Sequence, residues 1–256
     1  MKYGGILNIG VNHHEDNEKA RGGRLMDQSH DIPDRYQGDR EKLLLSLKAR
    51  PDLKLLVSEA VENPKMIRSL IELVSAETTS TRYLCTKIIR RVSMERPDLI
   101  YPYFDEIAKW IHDDNSFIKW DGILIIADLS AVDTENKFEA LYEDYFGLIH
   151  DPQMITAGNV IKNAWKIALA KPALESDITS RLLEVPAISY ERKGKPSPEC
   201  NRILCGQALK SFGHYFDESV NQGAMIRFAK AQLTCSRKAV AKEAGRFLHD
   251  HSFRDE

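Results

Sequence analysis

Long apolar runs are missing from the sequence. The longest, residues 122–127, lies between two aspartates and holds six residues, whereas a helix that crosses a bilayer needs about 18. The first residues, Met1 to Gly5, do not lead into the apolar segment that a secretion signal requires. We therefore expect a soluble protein with no signal peptide and no membrane partner.

Cysteine is scarce and unpaired in the sequence. The four cysteines are Cys85, Cys200, Cys205 and Cys235, and each lies inside an apolar helical pattern. A metal site needs several converging ligands, and a disulfide framework is typical of small secreted domains. We expect four reduced, buried cysteines and an intracellular, cytoplasmic location.

The familiar motifs of nucleophilic and nucleotide chemistry are also missing. The sequence has no Gly-x-Ser-x-Gly elbow, no phosphate-binding glycine loop and no Gly-x-Gly-x-x-Gly turn. His13, His14 and His30 lie in a glycine-rich segment, which does not supply the rigid geometry of a metal site. We expect no metal and no cofactor, and a non-catalytic protein is favoured over an enzyme.

Charge of one sign is not in excess. The 36 basic and 38 acidic residues give a net charge of −2, which excludes a uniformly basic nucleic-acid binder but not a local basic patch. The length of 256 residues and the hydrophobic fraction of 43% suffice for a sizeable core.

Glycine is concentrated at the beginning of the sequence. Residues 1–38 contain six of the 14 glycines and no helical period longer than a turn. We predict a flexible or loosely docked arm over residues 1–38, followed by a helical domain over 39–256.

From Arg40 onward apolar residues recur at three- and four-residue intervals, which indicates amphipathic helices. Asn63-Pro64, Asp151-Pro152 and Ser197-Pro198 each place a capping side chain before a proline, and each predicts a helix start.

The helices recur as pairs. The ends of three successive first helices, at Val74, Ile111 and Ile149, are 37 and 38 residues apart, and later ends follow at Leu183 and Leu233. The longer last interval holds a polar loop over residues 186–198, which we expect to be sensitive to proteases. This periodicity predicts an all-α, right-handed α-solenoid of about five helix pairs. One leading helical segment, Arg40 to Glu62, would cap it.

The repeats resemble the HEAT/armadillo-like superfamily over residues 40 to 250. A turn aspartate, Asp114, precedes a helix that opens with Ile118-Lys119 and has the small residue Gly122 three positions on. Thr81-Arg82 with Cys85 is similar. The resemblance implies that the second helix of each pair lines the concave side of the solenoid.

The second helices concentrate positive charge. The proposed second helices are residues 79–96, 115–131, 153–171, 199–216 and 236–249. Together they carry +10, which leaves −12 for the rest of the chain. A concave basic groove would attract an acidic peptide or protein, or a phosphate backbone. The alternative is that some of these cations pair with turn acids such as Asp113.

The tryptophans give a second hypothesis. Phe117-Ile118-Lys119-Trp120-Asp121 and Ala164-Trp165-Lys166 are similar to segments of the AlkD-type DNA glycosylases, which implies that Trp120, Asp121 and Trp165 hold a nucleotide. The alternative is aromatic packing between stacked helices. The sequence thus favours a binding scaffold for proteins, with nucleic-acid binding as the alternative. The candidate groove residues are Arg82, Lys87, Arg90, Lys119, Trp120, Asp121, Lys162, Trp165, Lys166, Arg202 and Lys242.

Overall fold

The computed structural model describes residues 37–49 and 52–251. The predicted arm over residues 1–38 therefore lies outside the described residues, except for Gln37 and Gly38, which belong to the first helix. His13, His14 and His30 lie outside them as well. In the described chain no group of three or more His, Cys, Asp or Glu side chains is placed to hold a metal ion.

Helices make up almost all of the described chain. The α-helices are α1 Gln37–Lys48, α2 Leu53–Glu62, α3 Pro64–Ala76, α4 Thr81–Glu95, α5 Pro97–Ile100, α6 Phe104–Ala108, α7 Ser116–Leu129, α8 Lys137–Gly147, α9 Met154–Ala170, α10 Glu175–Leu183, α11 Pro198–Tyr215, α12 Gln222–Gln232 and α13 Lys238–His251. Short 3-10 turns cover Tyr101–Tyr103, Lys109–His112, Ser130–Val132, Leu148–His150, Pro172–Leu174 and Val185–Ala187. None of the described helices combines the length and the apolar character needed to cross a bilayer.

The helices form five pairs, as the repeat spacing predicts. The first members are α3, the segment from α5 to α6, α8, α10 and α12, and the second members are α4, α7, α9, α11 and α13. Each second helix packs on the second helix of the next pair, so these five helices make one continuous layer. The leading cap differs from the single predicted segment, because α1 and α2 are separate helices that pack on α3 and α4.

Small residues allow the close approach of helices within and between pairs. A Cβ on Gly122 of α7 would lie 2.9 Å from the Cβ of Trp110, in the 3-10 turn that follows α6 of the same pair. A Cβ on Gly206 of α11 would lie 3.0 Å from a methyl carbon of Val240 in α13. The small residue in the resemblance motif therefore sets the distance between the two helices of its pair.

Two of the three proline-marked helix starts are confirmed. α3 begins at Pro64 and α11 at Pro198, but α9 begins at Met154 rather than at Pro152. Asp151 instead uses its Oδ1 to accept a hydrogen bond from the backbone N–H of Gln153 at 2.8 Å, which stabilises a local turn. The helix start is therefore delayed by two residues.

The segment over residues 186–198 contains a β-hairpin, not an open loop. β1 Glu191–Arg192 pairs with β2 Lys195–Pro196 in antiparallel register. Lys193 and Gly194 both have positive φ, 55° and 72°, as a two-residue hairpin turn requires. Tyr190, fully buried, donates its hydroxyl proton to the carbonyl of Ile149 at 3.0 Å. The insertion is therefore fixed to the preceding repeat.

Polar contacts join neighbouring repeats at regular intervals. Buried Asp133 accepts hydrogen bonds from the Tyr101 hydroxyl at 2.7 Å and pairs with the Lys171 ammonium at 2.9 Å, on either side of it in the array. Burial by itself raises the pKa of Asp133, but the hydrogen bonds from Tyr101, Phe138 N–H, Lys171 and Lys137 N–H outweigh it and lower this pKa below its usual value. Many such links connect residues 31 to 38 positions apart. We call this set the inter-repeat ladder.

Three of the four cysteines are buried, and Cys235 is half-buried; none is in a disulfide. Burial raises the pKa of Cys85 to about 12 and that of Cys205 to about 11, so both thiols are protonated core groups at neutral pH. The expectation of full burial therefore fails for Cys235 alone.

Candidate binding face on the second helices

The layer of second helices has one side that packs against neither its partners nor the first helices. We call this side the second-helix face. Its exposed side chains are Lys87, Arg91 and Met94 on α4, Phe117 on α7, Ile155, Lys162 and Leu169 on α9, Lys210 on α11, and Lys242 and Arg246 on α13. Large apolar groups and cations are therefore interspersed on it.

Two predicted groove cations are committed to ion pairs with α7. Arg90 of α4 lies 3.0 Å from Asp121, and Lys166 of α9 lies 2.5 Å from Asp128. The buried hydroxyl of Thr86 also donates to Asp121, at 2.6 Å. In the predominantly apolar α7, Asp121 thus contacts α4, and Asp128 contacts both α9 and, through the hydroxyl of Ser93 at 2.9 Å, α4. Asp121, which the sequence offered as a groove residue, serves here as an inter-repeat link.

Arg82 and Arg202 are also paired within the described chain. Arg82 lies 3.7 Å from the turn residue Asp113, which is the pairing that the sequence offered as the alternative to a free groove cation. Arg202 lies 3.3 Å from Glu199 on the same helix. Such partly exposed pairs contribute little to stability, but they reduce the charge that these arginines offer a partner.

Four predicted groove cations have no ion-pair partner among the described residues. Lys87, Lys119, Lys162 and Lys242 have no carboxylate oxygen within 4.0 Å among the described residues. Lys119 is half-buried and the other three are exposed. Two of them, Lys87 and Lys162, lie on α4 and α9, on either side of α7. The basic groove therefore stays a prediction, and half of its eight proposed cations have no carboxylate partner among the described residues.

The two candidate tryptophans make contacts between second helices. Trp120 donates its indole N–H to the hydroxyl of Thr156 at 3.1 Å, across α7 and α9. Trp165 stacks on His214 of α11, with ring centroids 4.3 Å apart and planes at 23°. Both rings are half-buried, so each presents only one edge or face to solvent.

An aromatic strip crosses from α4 to α7. Tyr83 packs edge-to-face on Phe117 at 5.6 Å, and Phe117 packs likewise on Trp120 at 5.4 Å. Asn115 donates its side-chain N–H to the Tyr83 hydroxyl at 2.8 Å and caps α7 by accepting from the Phe117 N–H. Sequence reasoning missed Tyr83, because its contact with Phe117 joins two repeats and a local sequence pattern does not indicate such a contact.

A pocket lies near each end of the aromatic strip. The first, of 470 Å³, lies between α1 and α4 and includes Leu47, Tyr83 and Lys87. The second, of 550 Å³, is an open pocket lined by α7, the start of α9, the β-hairpin and the start of α11. We call the second the hairpin pocket. Its lining residues are Trp120, Gln153, Met154, Ile155, Glu191, Arg192, Lys193, Ser197, Glu199, Cys200 and Ile203.

Comparison with known proteins defines the class of fold. No protein-family model matches this sequence, and no curated protein matches it. Among solved structures, a designed armadillo repeat protein matches with a TM-score of 0.50 and 13% identity, over 75% of this chain and 84% of that one. The chain therefore has an armadillo-like helical repeat fold, which confirms the fold that the sequence predicts. The resemblance to the AlkD-type glycosylases is not confirmed by these matches.

Proposed function

We propose that this protein is a non-catalytic binding scaffold whose second-helix face holds an acidic peptide or an acidic segment of another protein. The observation that carries the proposal is the mixture of exposed apolar groups and unpaired cations on that face. Met94, Phe117 and Ile155 are 57%, 60% and 49% exposed, on three consecutive second helices. Phe117 and Ile155 lie near the N-terminal ends of the adjacent helices α7 and α9, and Met94 lies near the C-terminal end of α4. Large apolar groups exposed on adjacent helices mark interaction surfaces.

The cations determine which partner suits the face. Lys87 and Lys162 lack carboxylate partners in the described chain, and Arg91 and Lys210 lack them too. A surface that combines free cations with apolar side chains complements a segment that alternates carboxylates with apolar residues. Binding by such a surface needs rigidity and area, which stacked helix pairs supply, and needs no activated nucleophile.

The proposal is tested with a charge-reversed variant and a matched control. The variant is Lys87→Glu with Lys162→Glu, and the control is Lys65→Glu with Lys109→Glu, two exposed lysines on α3 and on the 3-10 turn after α6. The probe is a fluorescein-labelled 13-residue peptide of Glu, Gly and Ser with a central Leu, titrated by fluorescence anisotropy at low and moderate salt. We expect the variant to weaken binding at least about tenfold and the control to change it less than about twofold.

Two results would overturn the proposal. One is the absence of peptide binding at low salt, where electrostatic attraction is strongest. The other is an equal loss in variant and control. A 20-base-pair DNA duplex is titrated alongside, because nucleic-acid binding is the alternative. Tighter binding of DNA than of the peptide, with a steep salt dependence from counterion release, would replace the peptide proposal by that alternative.

A further inference from the structure

We infer that the hairpin pocket is the anchor site of this partner: it takes one large apolar side chain, while cations of the β-hairpin contact the carboxylates that flank this side chain in the peptide. The inference rests on the proposed function and adds to it a position, a side-chain class and a register.

The interior of the hairpin pocket is apolar. Trp120, Met154 and Ile155 form one side, and Cys200 and Ile203 of α11 form the other. Its volume of 550 Å³ lies in the range of small-molecule sites, so it has room for a leucine, phenylalanine or tryptophan side chain. An apolar group that enters this pocket loses contact with water over the surface that it buries, and this loss favours binding.

The walls of the pocket are fixed before any partner binds. Glu191 donates its backbone N–H to the carbonyl of Pro152 at 2.9 Å, and Ser197 donates to the carbonyl of Tyr190 at 2.8 Å. The side-chain amide of Asn201 also donates to the carbonyl of Ile188 behind the hairpin. A wall tied to two neighbouring repeats loses little conformational entropy on binding, and this preorganisation increases affinity.

Two cations, Arg192 and Lys193, line the pocket, and Lys195 lies next to them on the hairpin. Arg192, Lys193 and Lys195 of the hairpin are exposed and have no carboxylate oxygen within 4.0 Å in the described part of the chain. Of the two lining carboxylates, Glu199 is already held by Arg202 and Arg237, and the other is Glu191. The excess of free cations favours an occupant whose apolar residue is flanked by Asp or Glu.

The aromatic strip gives the course of the rest of the peptide. Phe117 contacts Trp120 at the edge of the pocket and Tyr83 on α4, and Tyr83 also lines the pocket between α1 and α4. A segment anchored in the hairpin pocket that extends toward α4 therefore passes over exposed aromatic surface and ends near Lys87.

Three labelled 13-residue peptides test the inference by fluorescence anisotropy. The first is rich in Glu with a central Leu, the second has Ser in place of that Leu, and the third has Gln in place of every Glu. Each is titrated into the wild type, Ile155→Ser and the control Leu169→Ser, which alters an exposed apolar residue of the same helix outside the pocket. We expect the first peptide to bind the wild type about tenfold more tightly than either of the others, and only Ile155→Ser to abolish the advantage of Leu over Ser.

Methyl NMR of the wild type supplies a readout that does not depend on any variant folding. Addition of the first peptide is expected to shift the methyl signals of Met154 and Ile203, with a smaller change at Met94 on α4. The inference is overturned, and the proposed function stands, if the peptides with Leu and Ser bind equally, if Leu169→Ser weakens binding as much as Ile155→Ser, or if Met154 and Ile203 do not shift. Failure of all three peptides to bind at low salt would overturn both.

Discussion

Replacement of Asp121 separates a structural role from a role in ligand contact. Asp121 is 8% exposed, and its carboxylate accepts hydrogen bonds from Thr86 at 2.6 Å and from Arg90 at 3.0 Å, both on α4. The Asp121→Ala change removes these two links between the first and second repeats and leaves others, such as Ser93 to Asp128, in place. If Asp121 serves mainly as a ligand contact, the change leaves stability nearly unaltered.

The expected cost follows from those two contacts. A hydrogen bond to a charged group contributes about 1.5–3 kcal/mol, but the Thr86 hydroxyl keeps a partner in the Tyr83 carbonyl at 3.2 Å. The Arg90 side chain is 35% exposed, so water replaces part of what it loses. We therefore expect Asp121→Ala to lower the free energy of unfolding by about 2–3 kcal/mol. For a chain of this size the melting temperature falls by about 5–10 °C.

Urea unfolding followed by circular dichroism measures this effect in the full chain. The control is Asp114→Ala, an exposed turn residue seven positions earlier, for which we expect a change within about 0.5 kcal/mol. Asp121→Asn keeps one of the two accepting oxygens and loses the other together with the charge, so its cost lies between the two. A free energy of unfolding for Asp121→Ala equal to that of the control would refute the structural role and return Asp121 to the candidate ligand contacts.

Three other features give predictions that need simple measurements. Gly122→Ala brings a Cβ within 2.9 Å of Trp110 and is expected to cost about 1–3 kcal/mol in urea unfolding, whereas Gly245→Ala, in open space on α13, is expected to gain about 1 kcal/mol. Because the folded state lowers the pKa of Asp133, its stabilisation is present above about pH 4 and is lost as the pH falls below that value. The acid unfolding of Asp133→Asn is accordingly expected to be shallower than that of the wild type. Limited trypsin digestion, analysed by mass spectrometry, is expected to cut the 186–198 segment at its exposed tip, after Arg192 or Lys193, and to leave the rest of the segment intact. Cleavage elsewhere in the segment would contradict the anchoring of the hairpin.

The helix pairs could be predicted from sequence because their signals are local. The three- and four-residue apolar spacing, the prolines at Pro64 and Pro198, and the 37-to-38-residue period each depend on nearby residues. The start of α9 could not be predicted in the same way. Asp151 has the side chain of a helix cap, and only its contact with the Gln153 N–H shows that it closes a turn instead.

Less of the candidate site could be predicted from the sequence, because its charged side chains form ion pairs with residues of other repeats. Nothing near Arg90 or Lys166 in the sequence shows that each meets an aspartate of α7, 31 or 38 residues away. The hairpin pocket was missed for the same reason, since its walls come from α7, α9, the hairpin and α11. The polar composition of residues 186–198 predicted a loop. The segment instead forms one wall of the hairpin pocket, because Tyr190 is buried against the preceding repeat.

The inter-repeat ladder also determines how the molecule yields to force. Links such as Thr86 to Asp121 and Lys166 to Asp128 join only adjacent repeats, so tension applied at one end loads the outermost pair first. When that pair detaches, about 37 residues are released, or about 120 Å of extended chain, while the pairs behind it keep their own links. Under tension we therefore expect the array to lengthen in steps, with one helix pair unfolding in each step.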